Sequence, residues 1–172
     1  MKENKTNRLT KGAIFTALSF VFLFLSGFVP GVEMSMYAIA SIMPALMIVE
    51  TNKSGSGLFV YVATCILAFI LIPNKLAIVP YIFFFGYYGI IKFYVEKLKS
   101  PVAQVATKIV VFAAVFGIAL AFFKDLFFAN ITLPEIALPL LILAGIALFV
   151  LYDYIFTLAI NYYISKVHRG RI

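Results

Sequence analysis

The 172-residue chain has no tryptophan, one cysteine and one histidine, and charged side chains make up only 12% of it. Each scarcity closes off a class of protein. A water-soluble domain of this size carries about a quarter of its residues as charges, so there is too little polarity here to cover a globule in water. One thiol, Cys65, cannot form an intrachain disulfide, and it sits in an apolar run without neighbouring metal ligands. It reads as a small packing residue. The single imidazole, His168, lies in a basic tail with no acidic neighbour. No HExxH, no GxxxxGK[ST] and no Ser-His-Asp grouping occurs. The expectation is a protein that is not an enzyme, with no catalytic residues, no cofactor, no bound metal and no means of hydrolysing ATP itself.

What is abundant is apolar. Hydrophobic residues make up 64% of the chain, with nineteen Phe and ten Tyr, and the mean hydropathy is +1.07. The missing solvent is lipid. About 20 helical residues cross the hydrocarbon, and runs of that order occur at 12–29, 34–49, 56–73, 76–95, 103–123 and 137–164. Turn chemistry separates them: Pro30-Gly31, the polar stretch Thr51 to Gly57, Pro73-Asn74, Ser100-Pro101, and Asn130 to Pro134. The predicted fold is all-α, a single polytopic membrane domain of six transmembrane helices over 1–172. The first run follows Lys2, Lys5, Arg8 and Lys11, as a secretory signal would. It is longer than a signal's apolar region and further spans follow, so it reads as a retained helix. The second run holds Pro44, which predicts a kink supported by neighbouring helices. Only Pro73, Asn74 and Lys75 join the third and fourth runs, which predicts an antiparallel helical hairpin.

Charge placement predicts the orientation. With the N-terminus inside, all but two of the fourteen Lys and Arg fall on cytoplasmic segments, and only Lys75 and Lys124 fall outside. This is the positive-inside pattern. It predicts a multi-pass protein of the cell membrane with both termini cytoplasmic. The net charge of +7 then reflects topology and contact with anionic lipid, and no soluble domain offers a surface for nucleic acid.

Three groups of residues could carry function. Asp153 lies inside the last run, where an ionised group costs at least about 2.5–3.5 kcal/mol and usually has a partner. Thr157 and Asn161 follow it at helical spacing, so the stripe could be a ligand contact, a proton or cation relay, or an interhelical hydrogen-bond network that fixes packing. No basic or acidic partner for Asp153 is visible in the sequence. The second group gathers at the predicted outer ends: Glu33, Tyr37, Asn74, Lys75, Tyr81, Lys124, Asp125, Asn130, Thr132 and Glu135. Apolar and aromatic walls with a few placed polar groups make a ligand site; singly, these residues are also ordinary loop positions. The third is Ala13 and Ala17, four apart with Thr16 beside them, a flat strip that allows close helix approach.

With that start, Arg8-Leu9-Thr10-Lys11-Gly12-Ala13-Ile14-Phe15-Thr16-Ala17-Leu18, the chain resembles the substrate-binding S components of energy-coupling factor (ECF) vitamin transporters. Length, six helices and both ends inside fit that family. The resemblance implies a subunit that binds a vitamin or similar micronutrient at its outer side. It also implies association with a transmembrane coupling subunit and two cytoplasmic ATPases, and delivery of the ligand by toppling. Ala13 and Ala17 would then dock the coupling subunit. Val29 to Met34 would form a lid with Glu33 as its polar contact, and Tyr37, Lys75, Tyr81, Lys124, Asp125 and Asn130 could complete the substrate site. An acid as deep as Asp153 is not part of that pattern. Mixed charge at the outer loops would suit a zwitterionic or weakly charged ligand. Two other readings stand beside this one: a non-transporting six-helix scaffold of the rod-shape-determining type, and a proton-coupled carrier using Asp153.

Overall fold

The computed structural model describes residues 5–29, 31–128 and 137–167, with the backbone alone at 119–128, 137–142 and 167. All regular structure among them is helical, in the order α1 (Lys5–Ser26), α2 (Glu33–Thr51), α3 (Ser54–Leu71), α4 (Gly86–Val95), α5 (Pro101–Phe128) and α6 (Ala137–Val167). Between α3 and α4 lie a short 3-10 turn, Lys75–Ile78, and a π-helical turn, Tyr81–Phe85, that runs directly into α4. Among the described residues six segments are long and apolar enough to cross a membrane, Lys75–Val95 counting as one. The chain is an all-α, multi-pass membrane protein. Helices are the natural outcome, because each span must satisfy its own backbone N–H and C=O groups where no water can.

The predicted runs match these helices closely, with two differences. First, α1 starts seven residues earlier, at Lys5, taking in the basic residues Lys5, Arg8 and Lys11. Second, the fourth run is not one α-helix. Pro80 cannot donate a backbone hydrogen bond, and just after it the ladder shifts to the wider spacing, with the Gly86 N–H donating to the Tyr81 carbonyl.

The chain divides into two compact units, one of residues 1–94 and 156–172, the other of 95–155. In the first, α1 to α4 and the last turns of α6 pack together. Their polarity is arranged for lipid. On α1 the buried residues are Gly12, Thr16, Ser19, Leu23 and Ser26, spaced alternately by four and three, so one stripe of small and hydroxyl side chains faces its neighbours. Leu9, Ile14, Leu18, Val21 and Leu25 are exposed. Small inward residues let helices approach closely where no hydrophobic effect drives them together.

One end of this unit is tied by hydrogen bonds across five helices. Arg8 Nη2 donates to Ser56 Oγ at 2.9 Å, and Lys11 Nζ donates to Glu50 Oε2 at 2.5 Å. Tyr163 Oη donates to Glu50 Oε1 at 2.8 Å, and the Ser54 and Tyr94 hydroxyls share a bond of 2.7 Å. The start of α1, the end of α2, the start of α3, the end of α4 and the end of α6 therefore lie at the same end, as alternating antiparallel spans require. The α2–α3 connection is correspondingly tight. Asn52 closes α2 in the left-handed conformation at φ 52°, and an extended Lys53 starts α3.

In the second unit α5 packs on the first part of α6 through stacked rings, Phe112 lying on Phe149 at 4.5 Å and on Phe116 at 5.4 Å.

Candidate binding site

Pro44 organises the centre of the first unit. With no N–H, it leaves the Ala40 carbonyl without its usual helical partner. Ser19 of α1 supplies the replacement, its hydroxyl donating to the Ala40 oxygen at 2.8 Å. This is the neighbour support expected for α2. On the other side α3 presents Gly57, where a Cβ would stand 2.7 Å from the Pro44 carbonyl oxygen. Only glycine admits so close a backbone approach.

Ser19 also meets the other irregular segment. Its oxygen is 3.0 Å from the hydroxyl of Tyr81, the first residue of the π-helical turn. The Tyr81 side chain is fully buried, with Thr64 beside its hydroxyl. Its ring is accommodated by Gly86, whose Cβ, if present, would lie 2.8 Å from Tyr81 Cε1 and 2.5 Å from the Tyr61 ring. One α1 hydroxyl thus joins the carbonyl freed in α2 to the start of the π turn. Thr16 lies one turn along the same stripe, 7% exposed, and its hydroxyl has no hydrogen-bond partner. Thr10, Thr51 and Thr64 each turn the hydroxyl back onto the carbonyl four residues earlier in their own helix. Thr16 does not.

Of the outer-end candidates, Tyr37 and Tyr81 come together in one apolar cluster with Leu23, Ala40, Ala68, Ile72 and Ile78. Tyr37 Oη donates to the Ala77 carbonyl at 2.6 Å. Lys75 caps α3, donating to the Ile72 carbonyl at 2.7 Å and to that of Phe69, as a cation at a helix C-terminus does. Glu33 begins α2 and accepts from the Gly31 N–H at 2.9 Å, within its own loop. The side chains of Lys124 and Asp125, and the whole of Asn130, Thr132 and Glu135, lie outside the described residues, as does His168. Ala13 and Ala17 are both exposed, on the side of α1 that its own neighbours leave uncovered.

Asp153 does have a basic partner. In the second unit Lys108 Nζ lies 2.9 and 3.1 Å from its two carboxylate oxygens, with Glu96 Oε1 3.5 Å from the same ammonium. Lys108 is buried, and so is Lys92, which donates to Thr157 Oγ1 at 2.9 Å. Both lysines lie inside segments long and apolar enough to cross a membrane, as they do in the predicted runs. Of the stripe read from Asp153, Thr157 and Asn161, Asp153 meets Lys108, Thr157 meets Lys92 and Asn161 is exposed.

The sequence reading gave no bonding role to Thr16, Ser19, Glu50, Lys92 and Lys108. A signal existed for Ser19, since a proline inside a span leaves an orphan carbonyl, and α1 carries a small or hydroxyl residue at 12, 16, 19 and 26. For Lys108 none existed, because the partner of Asp153 lies 45 residues away in the chain. Among the described residues no group of three His, Cys, Asp or Glu could hold a metal ion. Comparison with protein-family models, curated proteins and solved structures finds no match.

Proposed function

We propose that the chain is the membrane-embedded, substrate-binding subunit of a micronutrient or vitamin uptake transporter of the ECF type, with both termini cytoplasmic. Energy would come from separate ATPase subunits, and the chain itself would catalyse no reaction. The observation that carries this reading is the division of α1. Its hydroxyl stripe is buried against α2 and α3, whereas Ala13 and Ala17 stay uncovered among exposed Leu9, Ile14 and Leu18. A flat strip of that kind lets another transmembrane helix approach closely, as docking to a coupling subunit needs. A second support is the pairing of two helix irregularities inside the membrane, since non-helical backbone at that depth is tolerated where it is buried in protein or lines a cavity. Such interruptions are sequence pointers to transporter binding sites.

The test is purification from the native membrane, with mass spectrometry of what accompanies the chain. The reading expects a small molecule at about one per chain, and a coupling subunit with its ATPases. Ala13→Trp with Ala17→Trp should abolish recovery of those subunits while the small molecule is retained. A preparation that never carries either one would leave the scaffold reading in its place.

A further inference from the structure

We infer that the seam between α1 and α3 at the tied end holds the phosphate of an anionic phospholipid, with Arg8 as its main contact and Lys5 and Lys53 beside it. The inference needs only a membrane-embedded chain and stands apart from the transporter reading. Arg8 carries it. A guanidinium presents several N–H donors in a planar fork. One of them donates to Ser56 Oγ, and Nε is buried with no hydrogen-bond partner. Among the described residues no carboxylate pairs with Arg8. The residue is half-buried, so the cation is drawn partly out of water without a counter-charge, which is costly. A phosphate oxygen pair on the rest of the fork removes that cost, and guanidinium matches phosphate in two-point geometry.

The charge around Arg8 is of one sign. The carboxylate at this end is Glu50, and it is already engaged by Lys11 and Tyr163. Among the described residues of the first unit the other carboxylate is Glu33, which begins α2 at the opposite end. Lys5 and Lys53 are exposed. Lys5 precedes Arg8 by three positions and Lys53 precedes Ser56 by three, so both lie on the membrane-surface side of the Arg8–Ser56 bond. The remaining lysines near this end add to the same sign. Lys92 is buried and donates to Thr157, and Lys166 donates to the Tyr162 hydroxyl.

The surface next to the cation favours a lipid over a soluble anion. Arg8 lies one turn before the apolar run of α1, and Ser56 at the start of that of α3, the level at which a bilayer carries its headgroups. One turn further in, Gly12 brings the two helices together, and a Cβ there would lie 3.8 Å from the Phe59 ring. Phe59 is 55% exposed, and Leu9 and Leu58 beside the seam are exposed as well. A cationic head thus stands over an apolar track, the shape that an amphiphile fills. Anionic lipids populate the cytoplasmic leaflet, the side on which the proposed orientation puts this end.

Native mass spectrometry tests the site on full-length protein in neutral detergent micelles, titrated with phosphatidylglycerol or with phosphatidylcholine of the same acyl chains. One phosphatidylglycerol per chain is expected, held at least about fivefold more tightly than phosphatidylcholine because of its net charge. Arg8→Gln removes charge-assisted hydrogen bonds and should weaken it about tenfold. Arg8→Lys, which keeps the charge and loses the fork, should fall between. Lys53→Gln, at an exposed position, should weaken it about fivefold and serves if Arg8→Gln fails to fold. Lys166→Gln should leave binding unchanged, and inorganic phosphate in large excess should not displace the lipid. Phosphatidylglycerol should also raise the thermal stability of the parent chain and not that of Arg8→Gln.

Equal retention of the two lipids, or equal losses in Arg8→Gln and Lys166→Gln, would show diffuse attraction to a basic end and overturn the site. Displacement by inorganic phosphate would overturn the lipid as its occupant in favour of a soluble phosphate compound. An Arg8→Gln chain that still gains stability from phosphatidylglycerol would reduce the Arg8–Ser56 bond to a packing contact and overturn the inference.

Discussion

Ser19→Ala isolates the bond on which the centre of the first unit depends. The substitution removes the donor to the Ala40 carbonyl and the partner of the Tyr81 hydroxyl together. Leaving a buried polar group unpaired costs about 1–3 kcal/mol, whereas single interhelical hydrogen bonds in membranes average about 0.6 kcal/mol, with a maximum near 1.7. The Ala40 carbonyl, which Pro44 has already deprived of its helical bond, is orphaned, and the Tyr81 hydroxyl keeps only Thr64 beside it, so a loss of about 2 kcal/mol is expected. Pro44→Ala supplies the diagnostic. It restores an N–H four residues after Ala40, so the carbonyl regains a partner within α2, and Ser19→Ala in that background should cost only about 1 kcal/mol. The assay is reversible unfolding in mixed micelles with increasing sodium dodecyl sulfate, read by the reactivity of Cys65. That thiol is packed against the buried cluster containing Tyr81. Additive costs, agreeing within about 0.3–0.5 kcal/mol with and without Pro44, would refute the claim that Ser19 serves the carbonyl freed by the proline.

Other perturbations follow from the same geometry. Lys108→Met should destabilise the chain by about 3 kcal/mol, because it takes from Asp153 the ammonium 2.9 Å away, and the double variant with Asp153→Asn should be less harmful than the single one; the same unfolding titration decides. Gly86→Ala places a Cβ within 2.5 Å of the Tyr61 ring, and overpacking of this kind costs about 1–3 kcal/mol, seen as lowered thermal stability, while Gly55→Ala, with open space around it, should be almost neutral. Glu50→Gln removes the charge that Lys11 meets at the tied end. It should loosen the start of α1, measured as faster amide hydrogen exchange over the residues following Lys5, with the middle of α3 unchanged.

The sequence alone determined the class of fold. Runs of apolar residues near the length of a bilayer crossing can only be helices, since lipid offers the backbone no other partner, and proline, glycine and asparagine mark their ends. That is why α2 and α3 were placed to within a few residues, and why Pro44 could be read as a weak point in need of support. The interruption of the fourth span was not legible, because a π turn differs from an α-helix by one residue of hydrogen-bond register and leaves no mark on hydropathy. The outer-end candidates were read from position, and position could not tell that Tyr37, Lys75 and Tyr81 bond to the chain's own carbonyls and hydroxyls. Only the tertiary structure decided which side of α1 faces protein, that Ser19 rather than another hydroxyl meets Ala40, and that Lys108 stands beside Asp153. Each of these is a relation between residues far apart in sequence. It depends on the rotation and register of one helix against the next, and hydropathy, which repeats along a single helix, carries no information about either.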